Sequence, residues 1–147
     1  AKAVFLRSLP VKNPATLIVL YSTQRSPHGP ALEFLPSSYL NARDIRERND
    51  VFSGLSIVIP TRDDLVISGK QTNVLTQLVN ADYFDVLGVR PALGRVFTPE
   101  QDDREYKGHP SVVLSHAYWT RRFGADPGTL GRRIAINRQP FVVVGIE

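Results

Sequence analysis

Three histidines, two acidic clusters and one group of arginines are the residues in this 147-residue chain whose types could carry chemistry. His28, His109 and His116 lie far apart, and none stands at ligand spacing from another, so a zinc site would have to be assembled from Asp and Glu across loops. Solvated loop histidines are the expectation. Ser115 precedes His116, but a serine hydrolase needs its nucleophile on a strained G-x-S-x-G turn. Val113, Leu114, Ser115, His116 and Ala117 stand here instead, and a helix cap with its first turn accounts for the pair. Asp63 and Asp64 form one acidic cluster; Glu100, Asp102, Asp103 and Glu105 form the other. Neither has the spacing or the turn glycine of a calcium loop, so both read as solvated turn and cap residues. The glycines follow neither G-x-x-x-x-G-K nor G-x-G-x-x-G, so no phosphate cradle for a nucleotide is expected. No catalytic, metal-ligating or cofactor-binding residue is assigned; a deep pocket joining Asp63 or Asp64 to His109 is the arrangement that would reopen an enzyme reading.

Arg121, Arg122, Arg132, Arg133 and Arg138 fall within the last 27 residues, beside Tyr118, Trp119, Phe123 and Phe141. Basic residues interleaved with aromatics could track a nucleic-acid backbone. Tyr118, Trp119 and Phe123 share a short predicted helix in a chain with few other large core residues, so a structural aromatic cluster with a solvated Arg face is the first reading. A protein–protein or lipid-headgroup surface is the second and nucleic acid the third. Arg121, Arg122, Arg132 and Arg133 are the residues expected to contact a partner.

The rest of the composition is that of a globular protein: 42% of residues are apolar and 22% charged. The net charge of +4 is unevenly spread. Residues 1–35 carry four basic and one acidic residue (+3), 36–110 nine and eleven (−2), and 111–147 five and two (+3). With no Cys there are no disulfides or thiolate sites, and either redox compartment fits. No apolar run approaches the roughly 20 residues of a membrane-spanning helix, and Lys2 and Arg7 interrupt the apolar stretch that a secretion signal would need. The absence of Met leaves two readings open, an internal piece of a longer chain or loss of an initiator Met before Ala1.

Elements follow from pattern. Leu17 to Tyr21 predicts a short buried strand. Ser38 caps a predicted helix over Tyr39 to Asn49. Leu55 to Ile59, Leu65 to Ser68 and Asn73 to Val79 predict a three-strand antiparallel meander, with turns at Pro60–Asp64 and Gly69. Asp82 is expected to cap a helix from Tyr83 to Leu87, which Gly88 ends, and Thr98 to Asp102 predicts a capped acidic turn. Val112 to Leu114 predicts a buried strand, Ser115 the cap of a helix from His116 to Phe123, and Gly124 its end. Ile134 to Ile136 and Phe141 to Ile146 predict a hairpin turning over Asn137 to Pro140.

Particular strings are recognisable. YFDVLGVRPALGRVFTPEQD, Tyr83 to Asp102, and VVLSHAYWTRRFGADPGTLGRRIAINRQPFVVVGI, Val112 to Ile146, resemble the extracytoplasmic core domain of MacB-like ABC transporter permeases. Within the FtsX-like superfamily they resemble the long duplicated permeases. Leu6 to Leu9 with Pro10 and Val11 is similar to the point where the first membrane helix gives way to the domain, and Ser38 to Arg48 followed by Val51 to Leu55 resembles the family's stretch after it. The likeness runs over essentially the whole chain. In its second half Gly, Pro, aromatic and Arg positions coincide in order and spacing.

The resemblance implies an α+β fold: a mixed α/β lobe with antiparallel strands near the membrane, and a smaller β-rich lobe carrying short helices inserted into it. Residues 1–80 would begin the first lobe and residues 81–147 supply the second. It implies a non-catalytic periplasmic domain, without cofactor, on the outer side of the bacterial inner membrane. Its expected partners are the transmembrane helices of its own permease, a periplasmic adaptor protein and, indirectly, a cytoplasmic ATPase subunit; nucleic acid is not among them. Relatives continue past the VVVGIE end and return to complete the first lobe. The first lobe is therefore expected to lack closing elements and to leave an open sheet edge through which the isolated chain dimerises, using its N-terminal strands. A soluble basic domain that binds nucleic acid or another anionic polymer is the rival reading.

Overall fold

The computed structural model describes residues 11–20, 22–24, 27, 29, 32–35, 44–102 and 110–147. The architecture is α+β, built on one six-stranded sheet. Its first two strands are β3 (Val58–Ile67) and β4 (Lys70–Val79), ten residues each and paired in register from Val58↔Val79 to Ile67↔Lys70. A two-residue turn joins them. Ser68 and Gly69 both have positive φ, 50° and 78°, the conformation whose twist matches a hairpin.

This hairpin replaces the expected three-strand meander. Pro60, Asp63 and Asp64, read as a turn, lie inside β3. Pro60 is tolerated because β3 meets its second neighbour, β7 (Arg133–Ile136), only at Leu65↔Ile136 and Val66↔Ala135. At Pro60 one side of β3 is an edge, where a missing N–H costs no ladder bond. The two aspartates belong to the strand because neighbours satisfy them: Asp63 accepts from Thr61 (2.8 Å), Asn137 (2.7 Å) and Thr76.

β7 turns through Asn137 and Arg138, both at positive φ, into β8 (Gln139–Ile146). The turn is thus two residues long, and Pro140 sits in β8 opposite Ala135. β8 is paired on one edge by β7 and, at its end, by β5 (Leu93–Gly94); on its other edge it carries β6 (Ser111–Leu114) in parallel. The sheet therefore joins strands from both sides of residue 80.

Between β6 and β7 runs the helix α4 (His116–Phe123). Ser115 Oγ accepts from the Tyr118 N–H at 3.3 Å, and Gly124, at φ 62°, returns its N–H to Thr120 and Trp119. Both ends match the sequence expectation. Tyr118, Trp119, Phe123 and Leu130 pack against a core of Leu65, Leu114, Ile134, Val143 and Ile146. Val143 and Ile146 are fully enclosed, and each such side chain contributes about 1.5–3 kcal/mol. Trp119 Nε1 donates to Asp126 O and to Thr129 Oγ1, fastening α4 to the short 3₁₀ turn Pro127–Thr129.

A second buried group, Ala81 and Phe84, gathers around α2 (Tyr83–Leu87), with the Phe97 ring edge-on to Phe84 at 5.5 Å. Gly88 ends α2 as expected, but Asp82 does not cap it. Its carboxylate instead accepts from Asn80 Nδ2 at 2.9 Å and pairs with Arg46. The acidic turn is the one-turn helix α3 (Pro99–Asp102), in which Asp102 accepts from the Thr98 N–H and from Arg95.

Residues 44–47 are helical (α1), and the expected helix before residue 44 lies outside the described residues. Leu17–Leu20 does not form the predicted buried strand. These residues carry no regular secondary structure; Ile18 is 60% and Val19 73% exposed. An apolar run becomes a strand only where an edge is offered to it, and none of the described strands pairs with this one. β1 (Ser22–Gln24) and β2 (Leu32–Leu35) form their own antiparallel pair.

Candidate functional site

The four arginines singled out from sequence are divided by the fold. Arg121 and Arg122 occupy the last turn of α4, where a cation complements the negative end of the helix dipole. Arg121 lies over the Tyr118 ring, 5.8 Å from its centroid, the neighbour three residues back on a helix. Arg132 lies over Phe123, 5.6 Å from its centroid, and donates from Nη2 to Ser68 Oγ at 3.2 Å. Arg133 begins β7. Strand alternation places it on the sheet face opposite Ile134, away from α4.

Arg122 and Arg132 thus come together while Arg121 and Arg133 do not join them. They meet across a cleft of about 500 Å³ lined by Ile67, Ser68, Lys70, Arg122, Phe123 and Arg132. Lys70 and Ser68 were missed from sequence, because charge density along the chain cannot register a residue 52 positions before Arg122. The available signal was the Ser68–Gly69 turn: once the hairpin is placed, Lys70 faces Ile67 across it and shares the sheet face on which α4 packs.

No carboxylate pairs with Lys70, Arg122 or Arg132 among the described residues. The field of this corner acts instead on Tyr118. Burial pushes its hydroxyl pKa above 10.0, and Arg122 and Arg121 oppose the rise. The hydroxyl is buried without a hydrogen-bond partner among the described residues.

The aromatic rings that a base-stacking surface would display are half-buried and pack against the core, which reduces the stacking surface open to a nucleic acid. His28 and His109 lie outside the described residues, and His116 is exposed with its ring edge-on to Trp119 at 5.4 Å. Asp63 is held below 3.8 chiefly by the Thr76 hydroxyl and then by Asn137, which is what a satisfied strand carboxylate does. Among the described residues no group of three His, Asp or Glu side chains is placed to hold a metal ion, and no helix is long and apolar enough to cross a membrane.

A second cleft, of about 240 Å³, lies beside the Arg46–Asp82 pair and is floored by Phe52, Gly54 and Val86. Its one cation, Arg46, is already paired with Asp82.

Comparison with known proteins gives the setting. The MacB-like periplasmic core domain profile matches residues 3–147. No curated protein matches the chain. Among solved structures it is similar to the periplasmic region of MacB from Actinobacillus actinomycetemcomitans, with a TM-score of 0.64 and 21% identity over 76% of this chain and 51% of that one. It is also similar to the extracellular domain of the noncanonic ABC-type transporter YknZ from Gram-positive bacteria, with a TM-score of 0.59 and 20% identity over 72% of this chain and 55% of that one. The chain spans about half the length of these structures, and at such identities the likeness is one of fold.

Proposed function

The chain belongs to the MacB-like periplasmic core domain family, and from that membership we propose that it is a non-catalytic module of an ABC-type permease, one that receives motion generated by a cytoplasmic ATPase and carries it to a substrate or adaptor protein. The observation that carries the reading is the profile match over residues 3–147 together with an α+β fold shared with periplasmic and extracellular transporter domains. The transmembrane helices of the same permease are its immediate partners. A division into two lobes is part of the proposal. The β3–β7 pairing favours assigning β3 and β4 to the lobe that holds β5–β8, which moves the boundary from residue 80 to about residue 57. Contact with the partner is assigned to Arg121, Arg122, Arg132 and Arg133, of which Arg122 and Arg132 share one cleft while Arg133 faces the other side of the sheet. The mechanism is a hinge or shear displacement of one lobe against the other.

The test is a distance measurement in the parent permease. Spin labels at Ala15→Cys and Leu75→Cys, both exposed positions, should show a distance distribution that shifts between nucleotide-free and ATP-bound states. One unchanged distribution in both states contradicts force transmission. The exposed apolar run Ile18–Leu20, although not a strand, also supports self-association of the isolated chain through its N-terminal segment.

A further inference from the structure

We propose that the cleft between the β3–β4 turn and the end of α4 is a binding site for the phosphate group of a phosphate ester, with Lys70, Arg122 and Arg132 as its cationic ligands and Ser68 as a hydroxyl donor. The inference deepens the partner-contact reading and rests on it only for the choice of surface.

Charge carries the first step. Three cations line one cleft of about 500 Å³, and among the described residues no carboxylate pairs with any of them. Like charges held together in this way repel one another, and a bound anion relieves the repulsion. One carboxylate supplies a single negative charge, whereas a phosphate supplies up to two, on several oxygens. The donor types match that chemistry: guanidinium forks for paired oxygens and an ammonium as a compact point charge.

Rigidity carries the second step. Arg132 is stacked over Phe123 and tied to Ser68 Oγ at 3.2 Å, so much of its side-chain entropy is already lost before a ligand arrives. Ser68 is fixed by its turn, at φ 50°. Arg122 sits on a helix whose two ends are both capped. The walls carry the third step. Ile67 and Phe123 give the cleft an apolar side next to the cations, and this open concavity leaves room for more than a bare ion. Phosphate against the cations and an organic group against Ile67 and Phe123 fills both parts.

Titration of the 147-residue chain with sodium pyrophosphate at about physiological ionic strength, followed by amide and guanidinium NMR, tests the site. Saturable shifts should be confined to Ser68, Lys70, Arg122 and Arg132. Lys70→Gln and Arg122→Gln should each weaken binding about tenfold, the loss of one charge-assisted contact. Arg122→Lys should recover most of it, and Arg62→Gln and Arg90→Gln, at exposed positions outside the cleft, should leave it unchanged. A parallel arm uses phosphatidylcholine vesicles with and without phosphatidylglycerol. Binding of pyrophosphate alone assigns the site to a soluble phosphate ester; binding of pyrophosphate and of the anionic vesicles, both lost in Arg122→Gln, assigns it to a lipid headgroup. No shift at millimolar pyrophosphate, or equal weakening by Arg62→Gln and Arg90→Gln, overturns the site. Neither of these outcomes bears on the ATP-driven distance change, which stands or falls separately.

Discussion

Substitution of Gly145 by Ala should destabilise the chain by about 2–6 kcal/mol, although it adds one methyl group. Gly145 lies in β8 with β5 on one edge and β6 on the other, paired to Gly94 and Val113. A Cβ there would stand 1.9 Å from the Arg95 carbonyl oxygen and 2.8 Å from its carbon. A carbon–oxygen contact relaxes near about 3.3 Å, so the backbone at Arg95, just after β5, must withdraw by about 1.4 Å. The displaced atoms are backbone, so no side-chain rotation relieves the clash. Overpacking of this kind costs about 1–3 kcal/mol. Withdrawal also strains the bonds Ala92 N–H to Ile146 O and Arg95 N–H to Val144 O, at 2.7 and 2.9 Å, each worth about 0.5–1.5 kcal/mol. Urea unfolding followed by circular dichroism reads the sum as a fall in midpoint of about 2 M, for a slope near 2 kcal/mol/M. Gly131→Ala is the control. Its φ is 76° but nothing lies within 4 Å of the added carbon, so only the left-handed conformation is penalised, at about 1–2 kcal/mol. A Gly145→Ala midpoint within about 0.3 M of the parent, or a Gly131→Ala loss as large as that of Gly145→Ala, would refute the packing argument.

Tyr118→Phe should leave stability equal or raise it by up to about 1 kcal/mol, because the hydroxyl it removes is buried without a partner among the described residues; a loss greater than about 1 kcal/mol in urea contradicts this. Burial raises the Asp102 carboxyl, but hydrogen bonds from Arg95 and the Thr98 N–H outweigh it and leave the pKa below 3.8. Its stabilisation is therefore complete above about pH 5 and is lost as pH falls through 3.8 toward the lower folded value. Asp102→Asn should cost about 1.5–3 kcal/mol at pH 7 and flatten the stability profile between pH 5 and pH 3, and a parallel profile contradicts the assignment. The isolated chain should sediment as a dimer at high concentration, and a strictly monomeric species tells against association through the N-terminal strands.

Local chemistry was legible wherever it was decided locally. The Ser115 cap, the Gly88 and Gly124 helix ends and the apolar arm Phe141–Ile146 appear where the residues predict them, because each depends on neighbours within a few positions. Errors arose where a distant partner decides. Pro60 and the Asp63–Asp64 pair read as a turn until β7 is known to reach only Leu65 and Val66, and until Asn137 is seen to donate to Asp63 from the far hairpin. Leu17–Leu20 has strand composition but no strand to pair with among those described. The same limit shaped the site: Arg122 and Arg132 could be grouped because they are ten residues apart, Lys70 could not, and Arg133 was grouped with them although pleating turns it to the other face. Asp82 looked like a cap because it precedes α2, yet Arg46 and Asn80 claim its carboxylate.

Partner contact is assigned to four arginines, and transport by the parent permease carrying Arg121, Arg122, Arg132 and Arg133 all replaced by Ser tests that assignment most directly. The all-Lys counterpart serves as the charge-preserving control, and thermal melting of both purified chains establishes that they remain folded. The prediction is that the Ser variant loses transport and complex formation while the Lys variant retains both. Wild-type transport and complex formation by a folded Ser variant would contradict the claim.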